Sequence, residues 1–485
     1  MRANRAHRWD FPGRESAPIQ RLTAPDLMLV WPEEKGWPQD IGALGILDGR
    51  DLLDADGRFK IEDIRGRIER RLHLVPRFRQ LLSWPRAGLG WPLWVDAPSF
   101  DVAEHVGVVP VQAPGDEPQL LLACERLRRR PLSRSRPLWE MWLLTGLPNG
   151  RVGFFMRMHH AIADGVAGVA TLAAFVDPVP DPPELQGPRW TPAPVPSDRE
   201  LFRDNLHRRL DELHRALSAL AEPIKTARGI QRTWPATREI FAEGRAPRIS
   251  LNGRPIGPDR RLAVLRSRLD LAKAIAHAHG ATVNDFLLTA VAGGYAELLR
   301  GRGERVDGLV LRAFVPVSLH REQPGKARGN VDAGMLVPLP IGEADDIGRL
   351  RLIARETAER KKKSRPPAGS MFRTVLLQRA FLRLMPRQRF MNAYVANVPG
   401  PPIPMYFAGA RVLELFPIIP LTANVSIGVG ALSYAGAINI TVVADRDLCP
   451  DLDIFVEGVR RSLDALERAA LEERPRATSG RGPDG

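Results

Sequence analysis

The apolar positions of this chain fall into short periodic blocks separated by turn signals. Trp139 to Leu144 and Val152 to Met158 are apolar and rich in strand-forming residues, and they flank Leu147-Pro148-Asn149-Gly150. This pattern predicts a β-hairpin whose second strand delivers His159 and His160 at its end. Helical spacing predicts helices over Gly66 to Val75, ending at Pro76, and over Leu120 to Arg130, a strongly basic segment. It also predicts a helix of small and apolar residues over Gly165 to Phe175. Asp177 to Pro196 carries eight prolines, a composition that holds a chain extended and suits a connection between domains. A helical pattern over Asp198 to Leu220 follows, then loop-like sequence over Arg245 to Pro258.

From Arg260 onward helices and strands alternate again. Leu269 to His279, Val283 to Leu299 and Ile454 to Leu466 read as helices. Leu309 to Val315, Met335 to Leu339, Ala393 to Val398, Val425 to Val429 and Ala437 to Ala444 read as buried strands. The pattern therefore predicts an α/β protein in two halves. The expected divisions are a loose arm over 1–18, a first domain over 19–176, a proline-rich linker and crossover helix over 177–258, a second domain over 259–468, and a charged, disordered tail over 469–485. A chain of 485 residues is long enough for two cores.

Composition changes this picture in two places. The net charge of +14 favours anionic partners such as membrane surfaces, nucleic acid or phosphorylated cofactors, although a solvated arginine-rich surface explains it equally well. Two cysteines, Cys124 and Cys449, make no disulfide framework and fit a reducing cytosol. The first 21 residues contain no apolar core of a secretory signal, and no run of about 18 apolar residues is present. Any membrane role is therefore expected to be peripheral.

The leading candidate for chemistry is His159-His160-Ala161-Ile162-Ala163-Asp164-Gly165, at a strand-to-helix transition. An imidazole there can take a proton from a hydroxyl near neutral pH. Asp164 can fold back to fix the turn, and Gly165 permits tight geometry. Taken alone, the motif also fits a purely structural histidine pair or half of a metal site. A zinc site needs three or four converging ligands, and no other His or Cys cluster is evident.

Further segments make a resemblance specific. They are Leu22-Thr23-Ala24-Pro25-Asp26, Leu74-Val75-Pro76-Arg77-Phe78-Arg79, Phe100-Asp101-Val102 with His105-Val106, and Arg136-Pro137-Leu138-Trp139-Glu140. In the second half they are Thr282-Val283-Asn284-Asp285, Arg312 to Ser318, Gly329-Asn330, and Asn397-Val398-Pro399-Gly400-Pro401. In this order, over about Ile19 to Leu466, the chain resembles the bacterial wax ester synthase/diacylglycerol acyltransferase family. That family is related to chloramphenicol acetyltransferase and to peptide-synthetase condensation domains. The D-F-G-W-G loop of condensation enzymes is absent, and its place falls near Ser426-Ile427-Gly428-Val429-Gly430, which points to the lipid branch.

The resemblance implies two chloramphenicol acetyltransferase-like domains with a channel between them. It implies that His160 is the general base, that His159 shapes the strand end, and that Asp164 orients the turn. Asn284 would donate to the thioester oxyanion, with a helix N-cap as the rival role. Gly165, Asp285, Pro137, Leu138 and Trp139 would be structural at the site. The implied activity is transfer of a fatty acyl group from acyl-CoA to diacylglycerol or a long-chain alcohol. Another alcohol or an amine as acceptor, or a catalytically weak lipid-surface binding paralogue, are the alternatives. No metal, redox cofactor or nucleic acid is implied, and acyl-CoA is a co-substrate. The expected location is cytoplasmic, peripherally on the inner membrane surface or on lipid droplets. Lys361-Lys362-Lys363 and the amphipathic stretch Met371 to Met385 are the candidate contact, or else that stretch serves the core.

Overall fold

The computed structural model describes residues 18–478, apart from 55, 57, 163–167, 169–170, 186, 222–243, 319–331 and 363–374. The first half is built on a seven-stranded mixed sheet. Its strands lie in the order Val106–Pro110, Trp139–Thr145, Arg151–His159, Asp40–Asp48, Ala410–Ile418, Tyr406–Phe407 and Val176–Asp177. The outermost pair at the Val106 edge is parallel and the rest are antiparallel. The second half is built on six strands in the order Asp332–Pro340, Val310–Ser318, Ala393–Pro399, Ile427–Tyr434, Ala437–Asp445 and Arg260–Arg268. Here Ala393–Pro399 is parallel to both of its neighbours and the other pairings are antiparallel. The α/β class and the two mixed sheets with flanking helices are as expected.

The hairpin predicted around Asn149 is present, and its strands end within a residue of the periodic blocks. Asn149 supplies the positive φ that the turn requires. The helices Glu117–Arg128, Asp198–Ala221, Leu269–Ala278 and Val283–Gly301 also lie where the apolar periodicity puts them. The helix expected over Gly66 to Val75 spans Ile61–Arg71 and tightens into a 3-10 turn before Pro76. Five of the eleven positions predicted as a helix after the histidine pair, 165–167 and 169–170, lie outside the described residues.

Two long strands of the first sheet, and its three short ones, were not read from the sequence. Asp40–Asp48 lies against the full length of the Arg151–His159 strand, and Gly42 makes that possible. A Cβ at Gly42 would sit 2.1 Å from the Met156 carbonyl oxygen, so only glycine lets the two backbones approach. Ala410–Ile418 comes from the second half of the chain, yet it pairs with Asp40–Asp48. The two halves are thus joined by a shared sheet as well as by the proline-rich connection.

Candidate active site

His159 and His160 occupy the end of a strand pinned from both sides. The His159 amide donates to the Leu138 carbonyl at 2.9 Å, and the His160 amide donates to the Gln39 carbonyl at 2.8 Å. Pro137-Leu138-Trp139 therefore acts through its backbone as one wall of the histidine strand. The Ile162 amide returns to the His159 carbonyl at 2.9 Å and turns the chain immediately after the pair. His160 is half-buried, whereas His159 is only 1% exposed.

The His159 ring is committed to the turn. Its Nδ1 accepts from the Ala161 amide at 3.0 Å, which places the neutral ring's proton on Nε2. Nε2 faces Glu33 Oε1 at 3.3 Å, close enough for attraction but not aligned as a hydrogen bond. With Nδ1 occupied by an N–H, that lone pair is not free for a metal, which weakens the metal half-site alternative. Burial pushes the Glu33 carboxyl up, but His159 and the Arg134 guanidinium, at 3.1 Å, hold it below the usual range.

Beneath the strand end lies a buried ion pair. Asp40, whose backbone pairs with His159, meets Arg128 Nε at 3.0 Å, and both side chains are 5% exposed. Burial alone would raise the Asp40 carboxyl; the charges of Arg128 and Arg157 outweigh it and lower its pKa. Arg128 also donates to the Ile419 carbonyl at 3.4 Å, and Gln39 Nε2 donates to Thr422 Oγ1 at 3.0 Å. The loop after Ala410–Ile418 is in this way tied to the residues that hold the histidine pair.

Trp139 is fully buried between Phe78 and His105, with ring centroids 4.6 Å from each. Its indole N–H donates to the Phe78 carbonyl at 2.9 Å, and His105 Nδ1 lies 2.8 Å from the Trp139 carbonyl oxygen. Phe100 stacks on His105 at 5.2 Å. Three of the segments that carried the resemblance thus meet in one aromatic stack, far apart in sequence but contiguous in space.

The second half places Asn284 in the first turn of the Val283–Gly301 helix, and it is half-buried there. It is not the cap. Thr282 is the N-cap, with φ −114° and ψ 164°, and the Asp285 carboxylate accepts from the Thr282 amide at 2.8 Å and hydroxyl at 2.7 Å. The helix-cap role considered for Asn284 is therefore corrected: the reciprocal Thr282/Asp285 box satisfies the free amides, leaving the Asn284 side chain without that task. Asp285 is buried, and its second oxygen accepts from the Thr357 hydroxyl at 2.8 Å, which fixes it as structural. Asp164 and Gly165 lie outside the described residues. Ser426 to Gly430 forms no loop; it runs into the Ile427–Tyr434 strand, where a Cβ at Gly428 would meet Leu421 and Ile419 within 3 Å.

Glu33, Gln39 and Arg134 were missed by sequence reasoning. Each reaches the site across a long chain separation, and Glu33 sits in an otherwise plain Trp-Pro-Glu-Glu-Lys turn.

Residues 22–287 match the wax ester synthase/diacylglycerol acyltransferase catalytic domain, and residues 328–467 match the C-terminal domain of the same proteins. The chain belongs to the wax ester synthase/diacylglycerol acyltransferase family, and it is an acyltransferase. It is 29% identical over 462 residues to the Mycobacterium tuberculosis protein named "Probable diacyglycerol O-acyltransferase tgs1", covering 91% of this chain and 94% of that one. A second M. tuberculosis relative, Rv0221, provisionally named for the same activity, is 30% identical over 478 residues, covering 93% and 97%. Among solved structures, the wax ester synthase/diacylglycerol acyltransferase of Marinobacter aquaeolei VT8 shares the fold with TM-score 0.65 and 22% identity, covering 93% of this chain and all of that one. The starter condensation domain of rhizomide synthetase, solved with C8-CoA, has TM-score 0.56 and 14% identity, covering 93% and 95%.

Proposed function

We propose that the chain transfers a fatty acyl group from acyl-CoA to a lipid alcohol at His160, with diacylglycerol the principal acceptor and triacylglycerol the product. The observation that carries this reading is the division of labour within the histidine pair. His159 is consumed by the turn, its Nδ1 on the Ala161 amide and its Nε2 facing Glu33, while His160 is half-buried at the strand end, with its amide on the Gln39 carbonyl. The relatives' names supply the acceptor class.

In this mechanism the His160 imidazole takes the proton of the acceptor hydroxyl as its oxygen attacks the thioester carbonyl. The tetrahedral oxyanion forms beside the Asn284 amide, then collapses with cleavage of the C–S bond. The imidazolium returns its proton to the departing CoA sulfur, so the products are an ester and free CoA. The thioester is already activated, so no acyl-enzyme is required. Asp164 orients the turn, and positioned proton transfer of this kind is worth roughly 10²–10⁴-fold.

Diacylglycerol and triacylglycerol are insoluble in water, so the reading includes a peripheral contact with the inner membrane surface or a lipid droplet. Among the described residues, no helix is long and apolar enough to cross a membrane. The candidate contact over Met371 to Met385 is partly committed elsewhere. Leu382 and Met385 are buried and Phe381 packs against the core, although Leu384 is 71% exposed. Wax ester synthesis is the second reading, since the same chemistry accepts a long-chain alcohol. The test is thiol release from palmitoyl-CoA by the purified protein with diacylglycerol, hexadecanol or water as acceptor. Release with no preference for either lipid over water would refute the proposal.

A further inference from the structure

The helix Asp198–Ala221 follows the proline-rich connection and is anchored to the body through its first two turns. Leu201 is buried, and Arg21 donates to Asp204 at 2.5 Å and to the Leu201 carbonyl at 3.0 Å. Asn205 donates to the Gly88 carbonyl at 2.8 Å. On the other side of the same helix, Phe202, Leu206, Leu210, Leu213 and Leu217 are all exposed, by between 45% and 56%. At about 100° per residue these five fall within an arc of roughly 80°, forming a stripe about 22 Å long. A stripe of that size on a soluble helix calls for a partner.

Charge decides which partner. Arg199 and Arg203 lie in or beside the stripe on one flank and Arg209 on the other, with His207 and His214 just beyond; all five are exposed. Of the acidic residues, Asp204, Asp211 and Glu212 turn away from the stripe, whereas Asp198 and Glu200, in the first turn, lie about 20° beyond Arg209 and His207 respectively. The spacing of Leu206, Leu210, Leu213 and Leu217 is also that of a coiled-coil seam, which would suit a second copy of the chain. Pairing two copies over Leu206 to Leu217 would set Arg209 and His214 of one against the same basic residues of the other, while Asp198 and Glu200 lie before that stretch. An apolar stripe with basic margins instead complements the interface of an anionic lipid surface, where acyl chains take the leucines and headgroups take the arginines.

We infer that the outward face of Asp198–Ala221 is the surface by which this chain sits on anionic lipid. The inference deepens the proposed function, because an acceptor dissolved in lipid requires such a contact, but binding is measured separately from turnover. The experiment is co-sedimentation of the full-length chain with vesicles of phosphatidylcholine alone and of phosphatidylcholine with phosphatidylglycerol. Wild type should sediment with the anionic vesicles and much less with the neutral ones. Replacing Leu206, Leu210 and Leu213 together with serine should lower partitioning roughly tenfold or more with the melting temperature unchanged. Arg203→Gln with Arg209→Gln should lower it on anionic vesicles by about fivefold per charge and leave weak neutral binding as it was. The Lys361, Lys362 and Lys363 to glutamine variant serves as comparator. Loss of binding in that variant but not in the leucine variant would overturn the inference in favour of the later segment. A wild-type dimer that the leucine variant converts to monomers, with vesicle binding intact, would overturn it in favour of a second copy. Thiol release with detergent-dispersed diacylglycerol should be the same in wild type and the leucine variant. If wild type releases none, the acceptor reading fails while the vesicle result still stands on its own.

Discussion

Trp139 packs beside the histidine strand, and replacing it tests the proposal that it supports the site without taking part in the chemistry. The indole loses nothing to solvent: it stacks between Phe78 and His105 and gives its N–H to the Phe78 carbonyl. Trp139→Phe keeps an aromatic ring in the stack but leaves that buried carbonyl without its donor, at a cost of about 1–3 kcal/mol. Trp139→Ala removes the stack as well and should cost about 3–5 kcal/mol. In a domain of 150–250 residues each kcal/mol corresponds to about 2–4 °C, so the phenylalanine variant should melt roughly 2–12 °C below wild type. The alanine variant should fall further or fail to accumulate. Thermal unfolding followed by circular dichroism reads the stability, and thiol release from palmitoyl-CoA, measured well below the lower melting temperature, reads the chemistry. For Trp139→Phe the expected result is a lowered melting temperature with kcat and KM within about twofold of wild type, since only a group that contacts the transition state changes kcat alone. An unchanged melting temperature with a large fall in kcat would refute the architectural role and put Trp139 in the path of the substrates.

Other substitutions address the remaining assignments. His160→Ala should remove nearly all acyl transfer while the protein stays folded, and activity above about a tenth of wild type would exclude a base worth roughly 10²–10⁴-fold. Asn284→Ala should lower kcat by about 10²–10³-fold with little change in KM for acyl-CoA or in melting temperature. Thr282→Ala should instead cost about 0.5–2 kcal/mol of stability, and the reverse assignment of effects would return the cap to Asn284. Asp40→Asn should cost about 3–5 kcal/mol by leaving Arg128 buried without its counter-charge. Because the Asp40 pKa is lowered on folding, its contribution is present above the unfolded value of about 3.9 and is lost as pH falls through the lower folded value. The asparagine variant should therefore lose less stability than wild type as pH falls below about 4 in denaturant titrations, and parallel curves would count against the pair.

What was legible in the sequence depended on whether the information was local. The Trp139–Thr145 and Arg151–His159 hairpin shows in its alternation and its Pro-Asn-Gly turn, and so the position of the histidine pair followed directly. Asp40–Asp48 has no such signature. Its two glycines, Gly42 and Gly45, look like breakers, and the close approach to Met156 that Gly42 permits exists only once the partner strand is in place. Ala410–Ile418 was not read as a strand, and nothing in its composition says that it crosses to the other half. At the Val283–Gly301 helix the signal was present but misassigned. Asn284 and Thr282 are both cap-type residues, and Thr282 with Asp285 three positions on forms the box that decides between them. The partners of the histidine pair, Glu33 and Gln39, are legible only in space, because a carboxylate in a turn and a glutamine before a strand are ordinary until the strand end arrives beside them.

The shared sheet also sets a timetable for biosynthesis. Asp40–Asp48 and the histidine strand leave the ribosome well before Ala410–Ile418, which covers the open side of Asp40–Asp48 and follows it by some 360 residues. At about 5–20 residues per second the nascent chain carries that uncovered backbone edge for tens of seconds. Such an edge is a template for pairing with any passing strand, including its counterpart on a neighbouring polysome. Truncation before residue 410 makes the exposure permanent, so a fragment ending in the proline-rich connection should collect in inclusion bodies. Supplying the missing half as a separate polypeptide during synthesis should return that fragment to the soluble fraction.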